Sequence, residues 1–145
     1  MNRDIRDTVI VGGGVSGMSA GIFSARLGLN TLLLERLMPG GQVINAEKVE
    51  DYPGFPNGVS GAELVGLMQD QAMSAGTEIS LTEVTEIKPG DSGIDVITYD
   101  SAIRTHTVII AGGSTLTKLS VPGEDRLEGS GVSYCATCDG AFFLD

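Results

Sequence analysis

The sequence carries a Ser133-Tyr-Cys-Ala-Thr-Cys-Asp139 stretch, which sets Cys135 and Cys138 three apart and places an aspartate directly after the second. Two thiols at that spacing can close a small disulfide ring across a tight turn and reopen it by exchange. The thiolate is the attacking species, so a helix N-terminus just after the motif would help lower a thiol pKa. Asp139 is placed to carry a proton as the pair changes redox state. Cys-x-x-Cys is also half of a common zinc site, but four ligands would need two further thiols or histidines, and His106 is the only histidine. An inert buried pair is the third alternative. No metal site is expected. A disulfide that cycles needs an electron source, and the preceding residues must provide it.

Gly12-Gly-Gly-Val-Ser-Gly17 is a G-x-G-x-x-G. Alone that pattern is weak, but here it follows a β-branched run, Thr8-Val-Ile-Val11, and opens a helix expected from about Val15 to Leu27. Gly12 permits the tight turn, Gly14 lets backbone N–H groups reach a pyrophosphate, and Gly17 allows the helix to pack closely. The N-terminus of the helix adds a favourable dipole and unsatisfied donors for an anion. Thr31-Leu-Leu-Leu-Glu35 reads as the next buried strand, completing a βαβ unit. Glu35 can accept hydrogen bonds from ribose hydroxyls and would repel a 2′-phosphate, so FAD or NAD is expected here and NADP is not.

Gly28 is placed to close the helix in a left-handed conformation. Residues 38–59, with three prolines and several glycines, read as a long irregular excursion. Ser60-Gly-Ala-Glu63 is a capping box for a helix whose apolar face is Leu64, Leu67, Met68 and Ala72, stopped by Gly76. Its methionines read as core. From Ile79 to Ala111 short strands take over, with Ile94, Val96 and Thr98 alternating with Asp95, Ile97 and Tyr99 as in a small antiparallel meander. Val108-Ile-Ile-Ala111 reads as another buried strand ending in glycines, with His106 half-exposed before it. Val121-Pro-Gly-Glu124 is a turn signal and a plausible domain boundary.

The chain has 145 residues, 21 of them glycine, and a net charge of −10 from 19 acidic and 9 basic residues. That length suits one modest domain with a real core. Without a basic stripe, nucleic acid is not an expected partner. Two cysteines do not make a disulfide scaffold, which favours a cytoplasmic setting. The uncharged run from Thr8 to Ala25 has the length of a signal or anchor, but its glycines and the flanking Asp4 and Asp7 argue for strand and helix instead, so no membrane association is expected.

Taken in order, the N-terminal fingerprint, Gly40-Gly-Gln42, Glu50-Asp-Tyr-Pro-Gly-Phe-Pro56, Val121-Pro-Gly-Glu124 and Gly131-Val-Ser-Tyr-Cys-Ala-Thr-Cys-Asp-Gly140 resemble the low-molecular-weight thioredoxin reductases, flavoprotein disulfide reductases. The resemblance implies an α/β fold: a Rossmann-like FAD-binding domain with a parallel sheet and a small antiparallel meander, at residues 1–120. Residues 121–145 would be the linker and the start of an incomplete NADPH and redox-disulfide domain. It implies FAD held by Gly12, Gly14, Val15, Ser16, Gly17, Glu35 and Arg36, with Gly40, Gly41, Gln42 and Asp51 by the flavin, Val84 at adenine and Gly112 near the dinucleotide. Cys138 would face the flavin, Cys135 would exchange with the protein substrate, and Asp139 would be the acid/base. Electrons would run from NADPH through FAD to the disulfide and on to thioredoxin or a similar protein, in a homodimer. Two positions depart from the family: Asp51 stands where asparagine is frequent, and a carboxylate accepts but cannot donate; Ala111-Gly-Gly113 stands where A-T-G is usual. No second glycine fingerprint occurs, so the chain is expected to be the N-terminal portion of such an enzyme and not competent alone. The alternatives are a stand-alone or partner-completed nucleotide-binding, redox-responsive module, or a related dithiol oxidase.

Overall fold

In the computed structural model, which describes residues 5–135, strand β1 (Ile5–Val11) runs into helix α1 (Val15–Arg26) and then strand β2 (Thr31–Glu35). These are the expected βαβ elements, with β1 starting three residues earlier because Ile5 and Arg6 find partners at Arg104 and Thr105. Gly28, at φ +82°, turns the chain out of α1 as expected. The Thr8–Ala25 run therefore divides into strand and helix, and among the described residues no helix is long and apolar enough to cross a membrane.

A 3-10 helix (Gly41–Asn45) and a single bridge, Val49 to Val59, give the irregular excursion its shape. Helix α2 (Gly61–Ala75) begins at Ser60, whose Oγ accepts from the Glu63 N–H at 3.2 Å, and ends at Gly76 in the left-handed conformation. Strands β3 (Glu78–Leu81), β4 (Val84–Gly90), β5 (Gly93–Thr98) and β6 (Ala102–Ile110) follow. The sheet order is β3-β2-β1-β6-β5-β4. β3, β2, β1 and β6 are parallel, whereas β4, β5 and β6 form the antiparallel meander. β6 belongs to both parts.

β1 and β2 are apolar on both faces because both faces are covered. Ile10 and Leu33 pack with Met18 of α1 and Leu64, Val65 and Met68 of α2. Val9, Leu32 and Leu34 pack on the opposite side with Val96 of the meander. Each such side chain contributes about 1.5–3 kcal/mol by leaving water.

Three expectations need correction. Leu67 is 48% exposed, and Val65 takes its place in the core. The buried positions of α2 follow the sequence 61, 64, 65, 68 and 72, which turns Leu67 toward a cleft shared with Phe23, Tyr52 and Phe55. Met68 is core, but Met73 is exposed. Val108–Ile110 is not buried: Ile110 is 74% exposed, because β5 pairs only with residues 102–105 of β6 and β1 covers just one edge beyond them. His106 is exposed within β6. The chain passes from one compact unit to a second after Gly113. In the second, the Val121–Glu124 turn forms as expected, and a short helix, α3 (Glu124–Leu127), follows it.

Candidate functional site

In the first unit the glycine turn is built at the ends of β1, β2 and β6. Gly12 adopts φ +106°, and a Cβ there would stand 2.7 Å from the Ala111 carbonyl carbon and 3.1 Å from the Gly112 nitrogen. Gly17 lies so close under this turn that its Cβ would overlap the Gly12 carbonyl oxygen. The Gly13 N–H donates to Glu35 Oε2 at 2.7 Å, and Glu35 Oε1 accepts from the Leu37 N–H at 3.2 Å. The Gly13 carbonyl in turn accepts from the Gly40 N–H at 2.8 Å, and Gly14 and Gly40 form a parallel bridge. A Cβ on Gly41 would be 3.3 Å from the Gly14 Cα. Two glycine loops far apart in sequence therefore meet backbone to backbone.

These features fit a dinucleotide. Gly14 caps α1 without a side-chain hydrogen bond, and no acidic residue occupies the first turn, Val15 to Gly17. The N–H groups there keep their capacity for an anion, next to the positive end of the helix. A Cβ at Gly112 would meet nothing within 4 Å, so the turn is open on that side. An ionised carboxylate offers about four acceptor positions. Glu35 spends two on backbone donors, which leaves acceptor capacity that ribose hydroxyls would fit.

The structure brings together Gly12, Gly14, Val15, Ser16, Gly17, Glu35, Gly40, Gly41 and Gly112. Gln42 follows Gly41 as an exposed residue of the 3-10 helix. Arg36 and Val84 lie where β2 ends: the Glu35 carbonyl accepts from the Thr82 N–H at 2.8 Å, and Arg36 pairs with Glu83 at 3.8 Å. Asp51 sits exposed on the 50–56 turn. That turn is anchored by Tyr52, whose hydroxyl reaches the Met68 sulfur at 3.6 Å and whose ring packs on Phe55. Among the described residues no hydrogen bond or ion pair joins Asp51 to the glycines of the cradle. The bracing of Gly13 by Glu35 was not anticipated from sequence.

In the second unit, Cys135 is half-buried and disulfide-bonded, and its N–H donates to Ser133 Oγ at 3.1 Å. Cys138 and Asp139, and any helix after them, lie outside the described residues. A second group missed from sequence is Glu124, only 4% exposed. Its Oε1 accepts from the Leu119 N–H at 2.8 Å and the Tyr134 hydroxyl at 2.7 Å, and Oε2 from the Ser120 N–H at 2.6 Å and the Val121 N–H at 3.4 Å. Three successive N–H groups thus converge on one carboxylate. Ser120 reaches this arrangement at φ +58°, a conformation that costs about 1–3 kcal/mol for a residue with a Cβ. The turn signal Val121-Pro-Gly-Glu124 contained this residue, but nothing local marked it as buried. Lys118 outside it bridges Asp125 at 2.6 Å and Glu128 at 3.2 Å, and both bonds raise its pKa.

The Tyr134 hydroxyl, and next the Leu119 N–H, hold the Glu124 carboxyl below its ordinary pKa. The same bond, helped by burial, pushes the Tyr134 phenol up to about 12. The sign of each shift defines where the contact acts. Its contribution is present above the ordinary carboxylate pKa and is lost as pH falls through the depressed value for Glu124. At the alkaline end it is present below the ordinary tyrosine pKa and is lost as pH rises through about 12. Titration of phenolate absorbance is expected to show one tyrosine ionising near pH 12, absent in Tyr134→Phe and moved toward the ordinary value of about 10 in Glu124→Gln. A Glu124→Gln curve identical to that of the unmodified chain would count against the contact.

A βαβ unit with a glycine cradle at the carboxyl ends of its strands is the architecture of a dinucleotide-binding domain, and in this sequence a Cys-x-x-Cys segment follows it. A family model described as pyridine nucleotide-disulphide oxidoreductase matches residues 6–144, and the chain belongs to that family. Among curated relatives it is 43% identical to the thioredoxin reductase of Bacillus subtilis over 139 residues, 96% of this chain and 44% of the relative. Among solved structures it is similar to the thioredoxin reductases of Lactococcus lactis (42% identity, TM-score 0.81, 97% of this chain and 46% of that one) and Streptococcus pyogenes (39%, TM-score 0.84, 99% and 47%). The chain spans about half the length of these relatives. The expected fold class, a Rossmann-like dinucleotide domain with an antiparallel meander, holds.

Proposed function

We propose that this chain is the FAD-binding and cysteine-bearing part of a thioredoxin-disulfide reductase that draws on NADPH. The observation that carries the reading is the cradle itself: two glycine loops clasped together at an uncapped helix N-terminus, with the Glu35 carboxylate beside them. The N–H groups at the start of α1, from Gly14 to Ser16, serve the pyrophosphate, Glu35 accepts from ribose hydroxyls while bracing the Gly13 N–H, and Val84 and Arg36 flank the adenine end. When bound, the flavin supplies the two-electron relay from NADPH to the Cys135–Cys138 disulfide. The disulfide takes up two electrons and two protons to become a dithiol, with Asp139 handling a proton at the second cysteine. The Cys135 thiolate then attacks the partner's disulfide, and Cys138 displaces the partner as a dithiol, closing the ring again. Residues 1–120 serve as the N-terminal part of the FAD domain and residues 121–145 as linker and start of the redox domain, in a cytoplasmic homodimer whose partner is thioredoxin.

The test is direct binding. The purified chain is expected to quench FAD fluorescence, and ADP to compete. ADP carrying a 2′-phosphate is expected to compete at least about tenfold more weakly, because the phosphate meets the Glu35 carboxylate. A chain that binds neither FAD nor ADP would refute the nucleotide assignment. Equal competition by the two ADP forms would refute the role of Glu35.

A further inference from the structure

From α3 the chain turns back through Leu127–Val132, where the Val132 N–H donates to the Leu127 carbonyl at 2.8 Å and the Gly129 N–H to the Val132 carbonyl at 3.0 Å. This return brings Tyr134, the residue directly before Cys135, onto Glu124 at 2.7 Å. The same carboxylate holds the N–H groups of Leu119, Ser120 and Val121. One buried side chain therefore ties the start of the segment to the residue directly before the first cysteine.

We infer that Glu124 is a positioning residue for the redox cysteines: through Tyr134 it fixes the direction in which Cys135 leaves the turn, and so sets how readily the disulfide opens. This rests on the reading of Cys135 and Cys138 as an exchanging pair. The physical argument is one of effective concentration. Cys135 is disulfide-bonded in the direction the turn gives it, so a hold on that direction raises the effective concentration of the thiol for re-closure and favours the closed form. When the hold is released, the reduced form gains freedom and the disulfide becomes easier to reduce. Within the second unit no other side-chain bond described reaches Tyr134, so the effect of the tyrosine runs through the glutamate. Glutamine at 124 has the right length but only one acceptor oxygen, and its NH2 group would face N–H donors.

The experiment equilibrates the chain with dithiothreitol and counts free thiols by mass shift after alkylation. Tyr134→Phe leaves all three backbone bonds to Glu124 in place, so it isolates the tie to the cysteine segment even where Glu124→Gln loosens the fold. The equilibrium constant for reduction is expected to rise about threefold in Tyr134→Phe and about tenfold in Glu124→Gln, the latter equivalent to ~30 mV for a two-electron couple. The double variant should match Glu124→Gln alone, because the two residues act as one contact. Arg126→Gln, an exposed neighbour on α3, should change nothing. Constants unchanged in Tyr134→Phe and Glu124→Gln, with a disulfide that still cycles in the unmodified chain, overturn the role of Glu124 alone. A disulfide that dithiothreitol opens in no variant overturns the exchanging pair itself, and the positioning role with it.

Discussion

Gly17→Ala is expected to destabilise the chain by about 3 kcal/mol or more and to abolish nucleotide binding. Alanine is the better helix former by about 1 kcal/mol, so propensity alone predicts the opposite sign. Space decides the matter. A Cβ at Gly17 overlaps the carbonyl oxygen of Gly12, and that atom is backbone at the end of β1, not the movable tip of a side chain. To relieve the overlap, α1 must lift from the turn or Gly12 must change conformation. Either movement shifts the Gly13 N–H from Glu35 and the Gly13 carbonyl from Gly40, so both clasps of the cradle loosen together. Gly112→Ala is the matched comparison. Its Cβ meets nothing within 4 Å, so stability should stay within about 0.5 kcal/mol, while on the proposed reading nucleotide affinity falls because the methyl enters the space assigned to the dinucleotide. Urea unfolding together with ADP titration separates the two. If Gly17→Ala unfolds at the same urea concentration as the unmodified chain, the close helix–turn packing is not what holds the cradle.

How much of this was legible in sequence depends on how local each determinant is. The bounds of β2 could be read because Leu32 to Leu34 is apolar on both faces and Glu35 ends the run at the site. The stops of α1 and α2 could be read because Gly28 and Gly76 carry their own backbone signal. Ser60 announced the start of α2 in the same way. Leu67 was misplaced because four apolar residues fit one helical stripe in two ways, and the choice between Leu67 and Val65 is made by what α1 and the sheet present to α2. Val108–Ile110 has the composition of a buried strand, but burial is a property of neighbours, and on one edge the described residues provide none. Glu124 was hidden for the opposite reason. A glutamate after Pro-Gly reads as solvated, and only the return of the chain at Tyr134 makes it a buried acceptor. The clasp of Gly13 by Gly40 is another long-range pairing that spacing in sequence cannot reveal.

The two cysteines should separate by role when each is replaced in turn. Cys138→Ser keeps Cys135, whose thiolate can still attack a disulfide but has no neighbour to complete the exchange. The reaction then halts at a mixed disulfide between this chain and its partner. A reduced, desalted Cys138→Ser chain, mixed with a thioredoxin whose second active-site cysteine is replaced by serine and whose first carries thionitrobenzoate, is expected to release that coloured thiolate. A covalent complex should remain, visible by non-reducing electrophoresis. The unmodified chain should release thionitrobenzoate but leave no complex, because Cys138 attacks the mixed disulfide and frees thioredoxin. Cys135→Ser should release thionitrobenzoate at least about a hundredfold more slowly, since a hydroxyl is a far weaker nucleophile than a thiolate at neutral pH and the remaining thiol is the one assigned to the flavin side. In turnover with a complete reductase either replacement should cost about a thousandfold or more, because a pair that acts as a unit fails as a unit. If the stable complex forms with Cys135→Ser instead, the roles of the two cysteines are exchanged, and the tie from Glu124 through Tyr134 then positions the flavin-facing sulfur.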